Sequence, residues 1–167
     1  MSREGALAIT IAVTAAVLAV LAWAWWRRTR RDSGLRAPVG EVPVDAAPLS
    51  HHEALYVATT RHGEPLERLA IRGLGFRSRA DLTVTSAGVA LDLTGQPRLF
   101  IPTEQIVDVA QATVAIDRVV ERDGLVRIAW RRDGQTVVDS YLRPQDASAR
   151  AVADEIGALL TPTGTDE

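Results

Sequence analysis

Residues 76–93 read FRSRADLTVTSAGVALDL and carry the pattern that decides the fold. Leu82 and Val84 alternate with threonines, and after the turn sequence Ser86-Ala87-Gly88 apolar residues alternate again with small or polar ones. An alternation with a period of two is typical of strands that bury one face. We therefore predict two antiparallel strands joined by a tight turn.

Six further runs of this kind flank the hairpin, at 54–60, 67–72, 98–101, 113–120, 126–131 and 136–142. Asp123-Gly124 and Asp133-Gly134 lie between the last three runs, and Asp-Gly pairs are strong signals for hairpin turns. Trp130 shares the alternating face of Ile128, which predicts that it packs in the core. Together the runs predict a mainly β fold of about seven short antiparallel strands.

The sequence period becomes helical after the last β run. One apolar face is formed by residues spaced i, i+4, i+7 and i+8, namely Val152, Ile156, Leu159 and Leu160. Pro144 and Asp146 suit the first turn of a helix, and Thr161-Pro162 ends it. Because a sheet with two exposed edges needs a cover, we expect this C-terminal helix to cap a curled sheet.

Residues 53–160 resemble a known bacterial family in the phrases LxIRGLGFRSRADLTVTSAGVALDL, LFIPTEQIVDV, ATVAIDRVVERDGLVRIAW and VVDSYLR. Its members are small single-pass membrane proteins with one N-terminal membrane helix and a cytoplasmic pleckstrin-homology-like (PH-like) domain. The resemblance implies a bent, partly open seven-stranded barrel capped by one C-terminal helix. Such proteins are often labelled transporters or export proteins, but one membrane helix cannot line a transport path by itself.

Gly5–Trp26 form 22 consecutive residues without a charge. As a helix they span about 33 Å, enough for the roughly 30 Å core of a bilayer. Aromatic and basic residues follow at one end and predict a membrane interface, namely Trp23, Trp25, Trp26, Arg27, Arg28, Arg30 and Arg31. The excess of arginine predicts a cell-membrane protein with an outside N-terminus and a cytoplasmic C-terminal domain.

Two alternatives bear on this segment. A cleaved signal peptide is less favoured, since the residues before the apolar run are neutral overall and the run is too long. Small residues at Ala8, Ala12 and Ala16 have the spacing of membrane-helix dimers, so a homodimer through this helix is a second hypothesis.

The chain divides into four predicted segments. They are a membrane anchor with a basic flank (1–31), a Pro-rich linker (32–52), the PH-like domain (53–160) and a disordered tail (161–167). Residues 1–36 carry a net charge of +4 and residues 37–167 carry −6. The acidic domain disfavours nucleic-acid partners, and the absence of cysteine excludes disulfides and thiolate chemistry.

Two candidate binding sites stand out in the domain. Arg72, Arg77 and Arg79 form the most basic cluster and are candidate lipid-headgroup ligands, although alternating arginines are also typical of the wet face of a strand. Leu99, Phe100 and Ile101 mark a candidate peptide groove, because PH-like folds can add an extended peptide beside the capping helix.

No catalytic motif, metal set or cofactor site is predicted. His51, His52 and His62 lack the further ligands that a metal site needs. Asp117 and Asp139 lie in apolar runs, where we expect each to face solvent or to pair with an arginine such as Arg118 or Arg143. The sequence thus predicts a non-enzymatic adaptor that binds a protein or peptide at the cytoplasmic membrane face, with two alternatives: a lipid-headgroup-binding module, or an accessory subunit of a membrane enzyme or transport complex.

Overall fold

The computed structural model describes residues 3–32, 37–115, 118–119 and 124–161, which fall into two compact units, Met1–Leu35 and Arg36–Glu167. The first unit is helix α1, Arg3–Asp32, whose segment Leu7–Arg27 is long and apolar enough to cross a membrane. Thr14 Oγ1 donates to the Thr10 carbonyl at 2.9 Å, so this hydroxyl is satisfied within the helix. The predicted N-terminal apolar helix is confirmed.

In the described part of the second unit there are ten strands and one further α-helix. The strands are β1 (Pro48–Arg61), β2 (Glu64–Arg68), β3 (Ser78–Thr85), β4 (Gly88–Leu93), β5 (Leu99–Pro102), β6 (Ile106–Ala112), β7 (Val114–Ala115), β8 (Arg118–Val119), β9 (Leu125–Arg131) and β10 (Val137–Pro144), followed by helix α2 (Ala149–Ala158). All strand pairs are antiparallel. The mainly β fold with one helix at each end of the chain is confirmed.

One sheet has the strand order β5-β4-β3-β1-β10-β9-β6, and β2 pairs with the end of β1. Laid flat, seven strands would separate β5 from β6 by about 29 Å. The two strands are nevertheless joined by the short 3-10 turn Thr103–Gln105, which spans at most about 14 Å. The sheet must therefore curl until its two edges approach each other.

Strand β1 lies at the centre of this curl. Its first part pairs with β3 and its second part with β10, and the register with β10 shifts between Tyr56 and Ala58. A bulge of this kind bends a strand and increases its twist. Trp130 is buried in the core, as predicted, and its Nε1 donates to Ser140 Oγ at 2.9 Å.

Helix α2 packs against β6, β9 and β10 through Ala149, Val152, Ala153 and Ile156. Ser148 caps its N-terminus by accepting from the Ala151 N–H at 3.1 Å. The helix begins five residues after Pro144, which ends β10 instead of starting the helix as predicted. The reason is register, because residues up to Pro144 still pair with β1.

The predicted boundaries need three further corrections. Strand β1 begins at Pro48, so residues 48–52 belong to the sheet and not to the linker. The second β run ends at Arg68, and the described residues of the run at 113–120 form the short pair β7 and β8. The longer strand is β6, in a stretch with weak alternation that tertiary pairing with β9 nevertheless holds extended. Asp117, Asp123 and the tail from Pro162 onward lie outside the described residues.

Candidate functional site

The loop between β2 and β3, residues 69–77, folds against the core before it returns to the sheet. Ile71 and Leu74 are buried, and the Leu74 N–H donates to the Ile71 carbonyl at 3.0 Å. Between them Gly73 has a φ of +88°, a conformation that residues with a side chain rarely adopt. Gln96 Oε1 also lies 3.3 Å from where a Cβ would stand on Gly73. The backbone conformation of the loop therefore requires glycine at position 73.

This loop and the β4–β5 turn enclose an open cavity of about 470 Å³, which we call the arginine cavity. Its lining residues are Ile71, Arg72, Gly73, Gly75, Phe76, Arg77, Ser78, Thr94 and Gln96. The polar part consists of guanidinium, hydroxyl and amide groups, and Phe76 is 87% exposed beside them. Two arginines with neighbouring neutral donors form a set suited to an anion.

The charges of the cavity arginines are not compensated nearby. Among the residues that the structure describes, no carboxylate lies within salt-bridge distance of Arg72 or Arg77, and both are exposed. Elsewhere in the domain Arg61, Arg98, Arg127 and Arg132 each pair with an Asp or Glu. The arginine cavity is therefore a local positive site in an acidic domain.

The structure brings together two of the three arginines that the sequence singled out. Arg72 and Arg77 both line the arginine cavity, whereas Arg79 does not. Arg79 lies on β3, where its side chain is exposed and its backbone pairs with Leu55. Arg79 corresponds to the solvated strand position that the sequence allowed as an alternative.

A chain of buried hydrogen bonds fixes the loop to the core. Trp130 Nε1 can only donate, and it donates to Ser140 Oγ, which lies 2.8 Å from Thr59 Oγ1. Thr59 Oγ1 lies 2.8 Å from Tyr56 Oη, which donates to the Leu74 carbonyl at 3.0 Å. Since both ends are defined, every hydroxyl proton in the chain points toward Leu74. Burial raises the pKa of the Tyr56 hydroxyl, which therefore stays protonated.

The residues predicted to mark a peptide groove, Leu99, Phe100 and Ile101, lie in β5. All three side chains are buried in β5, at the edge of the sheet opposite to β6. Helix α2 lies beside β6 instead, so a groove next to the capping helix would involve Ile106–Ala112. The sequence could not reveal this arrangement, because it depends on which strand ends up at which edge.

The predicted membrane-interface residues lie at the C-terminal end of α1. The guanidinium of Arg27 stands 5.4 Å from the ring centre of Trp23, and that of Arg30 stands 4.1 Å from Trp26. These are i, i+4 pairs, which share one face of a helix. Trp25 is exposed, and the side chains of Arg28 and Arg31 lie outside the described part of the chain.

A family model described as "Bacterial PH domain-like" matches residues 37–156. The chain belongs to this family. A solved structure similar to it is the C-terminal domain of an unknown protein from Leishmania infantum, with 10% identity, a TM-score of 0.46, and coverage of 84% of this chain and 99% of that chain. No curated protein matches the sequence. The PH-like domain is an interaction module in general terms, and no enzyme family was found.

A buried carboxylate of the PH-like domain, that of Asp139, has hydrogen-bond partners that the sequence did not indicate. Asp139 is 1% exposed, and it accepts from His62 Nδ1 at 2.8 Å and from the Gly63 N–H at 3.0 Å. Arg127 Nη1 lies 3.8 Å from the same carboxylate. Asp139 thus does not face solvent, and it pairs with an arginine as the second alternative held, namely Arg127 of β9. Its hydrogen-bond partners come from the β1–β2 turn, 76 and 77 residues away in sequence.

A second missed cluster ties helix α2 to strand β1. Glu155 Oε2 accepts from Ser50 Oγ at 2.6 Å and lies 2.9 Å from His52 Nε2. The hydrogen bond from Ser50, and then that from His52, lower the pKa of the Glu155 carboxyl. Within the described residues no group of three His, Cys, Asp or Glu is placed to hold a metal ion. We interpret both clusters as structural.

Proposed function

We propose that this protein is a single-pass, membrane-anchored PH-like module whose arginine cavity binds a phosphate-bearing anion at the cytoplasmic membrane face. The observation that carries the proposal is the pairing of Arg72 and Arg77 around one cavity with no carboxylate in reach among the described residues. A guanidinium presents several N–H donors in a planar fork that matches phosphate oxygens. The role is binding, because the cavity lining holds donors and no general base.

The membrane part of the proposal rests on α1. Its segment Leu7–Arg27 has the length and composition of a membrane span, and aromatic rings with arginines close to them are typical of one bilayer interface. Arginine is in excess on the C-terminal flank, which favours a cytoplasmic PH-like domain. Four residues of sequence separate the end of α1 from Ala37, where the matched PH-like region begins.

The exposed Phe76 favours a lipid over a free phosphate as the source of the anion. An aromatic side chain beside two arginines resembles the composition of surfaces that bind at a lipid interface. Phe76 contributes apolar contact with the bilayer, while Arg72 and Arg77 bind the headgroup phosphate. A free phosphate compound would use the arginines without needing Phe76.

The test uses the full-length protein in phosphatidylcholine nanodiscs, with glycerol 3-phosphate as a soluble probe and phosphatidylglycerol vesicles as a membrane probe. We expect Arg72→Gln and Arg77→Gln each to weaken binding of both probes by roughly ten- to hundredfold, which corresponds to the loss of a charged hydrogen bond. We expect Phe76→Ser to weaken vesicle binding alone. Arg79→Gln is the matched control, because this arginine lies nearby without lining the cavity. An equal loss with Arg79→Gln would reduce the effect to general surface charge and refute the cavity site.

A second candidate function is protein binding at the outer edge of β6, beside α2. In the described part of the chain β6 pairs with β9 alone, and Val107 on this strand is 41% exposed. An open edge next to a helix accepts an extended peptide through its backbone groups. A photo-crosslinking residue at Val107 should capture a partner in cells, while one at the exposed Val44 should not. Equal capture at both positions would contradict an edge-specific site.

A further inference from the structure

Residues 37–41, which we call the strap, lie along the outer edge of β5. The Phe100 N–H donates to the Pro38 carbonyl at 2.8 Å, and the Gly40 N–H donates to the Arg98 carbonyl at 3.2 Å. Val39 therefore stands opposite Leu99 as an antiparallel bridge. This segment was predicted as part of the Pro-rich linker, and it forms an isolated β-bridge to the edge of the sheet.

The strap is held by few contacts. Beyond the two backbone hydrogen bonds, Glu41 pairs with Arg98 at 3.4 Å, and the Glu41 side chain is 82% exposed. Val39 is 63% exposed, and the strap contributes no residue to the buried core. Exposed ion pairs and isolated backbone hydrogen bonds hold a segment weakly.

The edge beneath the strap is, in contrast, firmly built. Leu99, Phe100 and Ile101 are buried, so the β5 backbone is fixed by the core. Arg98 is held in place by two hydrogen bonds to Asp92, at 2.8 and 2.9 Å. The edge therefore offers rigid backbone groups and a fixed cation to any strand with a suitably placed acidic residue.

The connection from the strap to β1 contains a simple hinge. Residues 43–46 form a turn in which the Ala46 N–H donates to the Pro43 carbonyl at 3.0 Å, and Val44 in this turn is exposed. Opening this turn would extend the chain without disturbing the sheet. Exchange of an identical segment between two copies costs little free energy, because the segment makes the same contacts in both arrangements. It requires a turn that can open, and this turn lies at the right place.

We propose that β5 is a strand-acceptor site and that its occupant in the membrane is the strap of a second copy of this chain. A second copy carries the same strap, which already fits this edge in the structure, including Glu41 as the partner of Arg98. Anchoring by α1 confines the copies to one surface, which raises their effective concentration. The exchange would also pair two anchors whose Ala8, Ala12 and Ala16 have the spacing of membrane-helix dimers.

The exchange would place one copy beside the arginine cavity of the other. Ala37 at the start of the strap lies 4.0 Å from where a Cβ would stand on Gly73, a lining residue of that cavity. The strap of the partner copy would thus lie against Gly73 of the cavity loop. Strand exchange at β5 does not require phosphate binding, since it uses the backbone groups of β5.

The native chain has no cysteine, so engineered cysteines report contacts without background. Val39 and Leu99 form a bridge whose flanking residues make the hydrogen bonds, a geometry that brings the Cα atoms within disulfide range. The test co-expresses two full-length chains with different tags, one carrying Val39→Cys and the other Leu99→Cys, and oxidises the isolated membranes. The expected product is a disulfide-linked dimer with both tags.

Val44→Cys combined with Leu99→Cys is the matched control and should give at most about a tenth of that product. A second pair, Glu41→Cys and Arg98→Cys with a short bismaleimide linker, avoids the buried Leu99 in case its substitution impairs folding. The proposal is refuted if neither mixed pair yields a doubly tagged dimer above the control. In a further experiment both cysteines, Val39→Cys and Leu99→Cys, are placed in the same chain. A disulfide formed exclusively within that chain would equally refute the proposal.

Discussion

Tyr56 connects the packing of the core to the shape of the arginine cavity. Its hydroxyl ends the buried hydrogen-bond chain from Trp130 and donates to the Leu74 carbonyl. Replacing it by phenylalanine keeps the ring but leaves the Leu74 carbonyl and Thr59 without this partner. A single buried side chain thus determines how firmly the loop of residues 69–77 is held.

We expect Tyr56→Phe to lower the free energy of unfolding by about 1–3 kcal/mol, the range for buried polar groups left unsatisfied. Urea denaturation followed by circular dichroism measures this change. Hydrogen exchange should also increase within residues 69–77. The control is Tyr141→Phe, because Tyr141 lies in β10, outside this hydrogen-bond chain. If Tyr141→Phe loosened the same loop equally, the specific role of Tyr56 would be disproved.

Among single residues, the sequence predicted some of the cavity arginines but not the partners of the buried carboxylate. The sequence identified Arg72 and Arg77 because basic residues cluster there, and the structure gives them one cavity. It did not separate Arg79 from them, because the two-residue spacing of Arg77 and Arg79 does not reveal which of these side chains will line a cavity. The hydrogen bonds of Asp139 with His62 and Gly63 were equally hidden, because the fold, and not proximity along the chain, brings the β1–β2 turn to Asp139.

At the scale of secondary-structure elements, the β3–β4 turn has a strict requirement for glycine. Gly88 has a φ of +150°, and a Cβ there would stand 2.3 Å from the Ile101 carbonyl oxygen. The contact is with the backbone of β5, which cannot move without breaking its pairing with β4. The turn sequence therefore controls the packing of a strand that follows it.

We expect Gly88→Ala to unfold the domain at a lower temperature than Gly95→Ala. Gly95 also has a positive φ, of 75°, but nothing lies within 4 Å of a Cβ there. Its substitution should therefore cost about 1–2 kcal/mol of backbone strain, and Gly88→Ala should cost at least about twice that. Thermal denaturation of both variants makes the comparison. Equal melting temperatures would show that the close approach of position 88 to the β5 backbone does not limit the stability of the domain.

The attachment of α2 to β1 depends on the charge of Glu155. Hydrogen bonds from Ser50 and His52 lower the pKa of this carboxyl in the folded protein. A carboxyl with a lowered folded pKa stabilises the fold at every pH above its unfolded pKa, and this stabilisation is lost as the pH falls through the folded value. The effect is modest because Glu155 is partly exposed.

We expect Glu155→Gln to be less stable than the wild type at pH 6 to 7 and to approach it as the pH falls below about 4.5. Urea denaturation at a series of pH values measures the difference. Asp154→Asn is the control, because its carboxylate is exposed on the same helix. A constant difference between wild type and Glu155→Gln across the pH range would contradict the assigned role.

At the scale of the whole molecule, charge is divided between a basic N-terminal segment (1–36) of +4 and an acidic remainder (37–167) of −6. The proposed orientation depends on the first of these, since arginines next to a membrane span are retained on the cytoplasmic side. The acidic character of the domain makes the arginine cavity a local exception. The two features are independent and are tested separately.

We expect a reporter fused after Glu167 to be active in the cytoplasm. Replacing Arg27, Arg28, Arg30 and Arg31 by glutamine and adding four arginines before Gly5 should invert the topology. A pair of fusions, one fluorescent in the cytoplasm and one enzymatic in the exterior, measures the orientation. Replacing Arg72, Arg77, Arg79 and Arg131 instead should leave it unchanged. An exterior signal from the unmodified chain would overturn the assignment.

The sequence by itself determined the apolar helix, the β class of the domain and its C-terminal helix, because these follow from local periodicity and turn residues. It also identified two of the residues that line the cavity. The tertiary structure alone decided that Val39 bridges to β5, that β6 and not β5 lies beside α2, and which groups pair with Asp139 and Glu155. Those features arise from backbone pairing and long-range closure of a curled sheet, which leave no periodic signal in the chain.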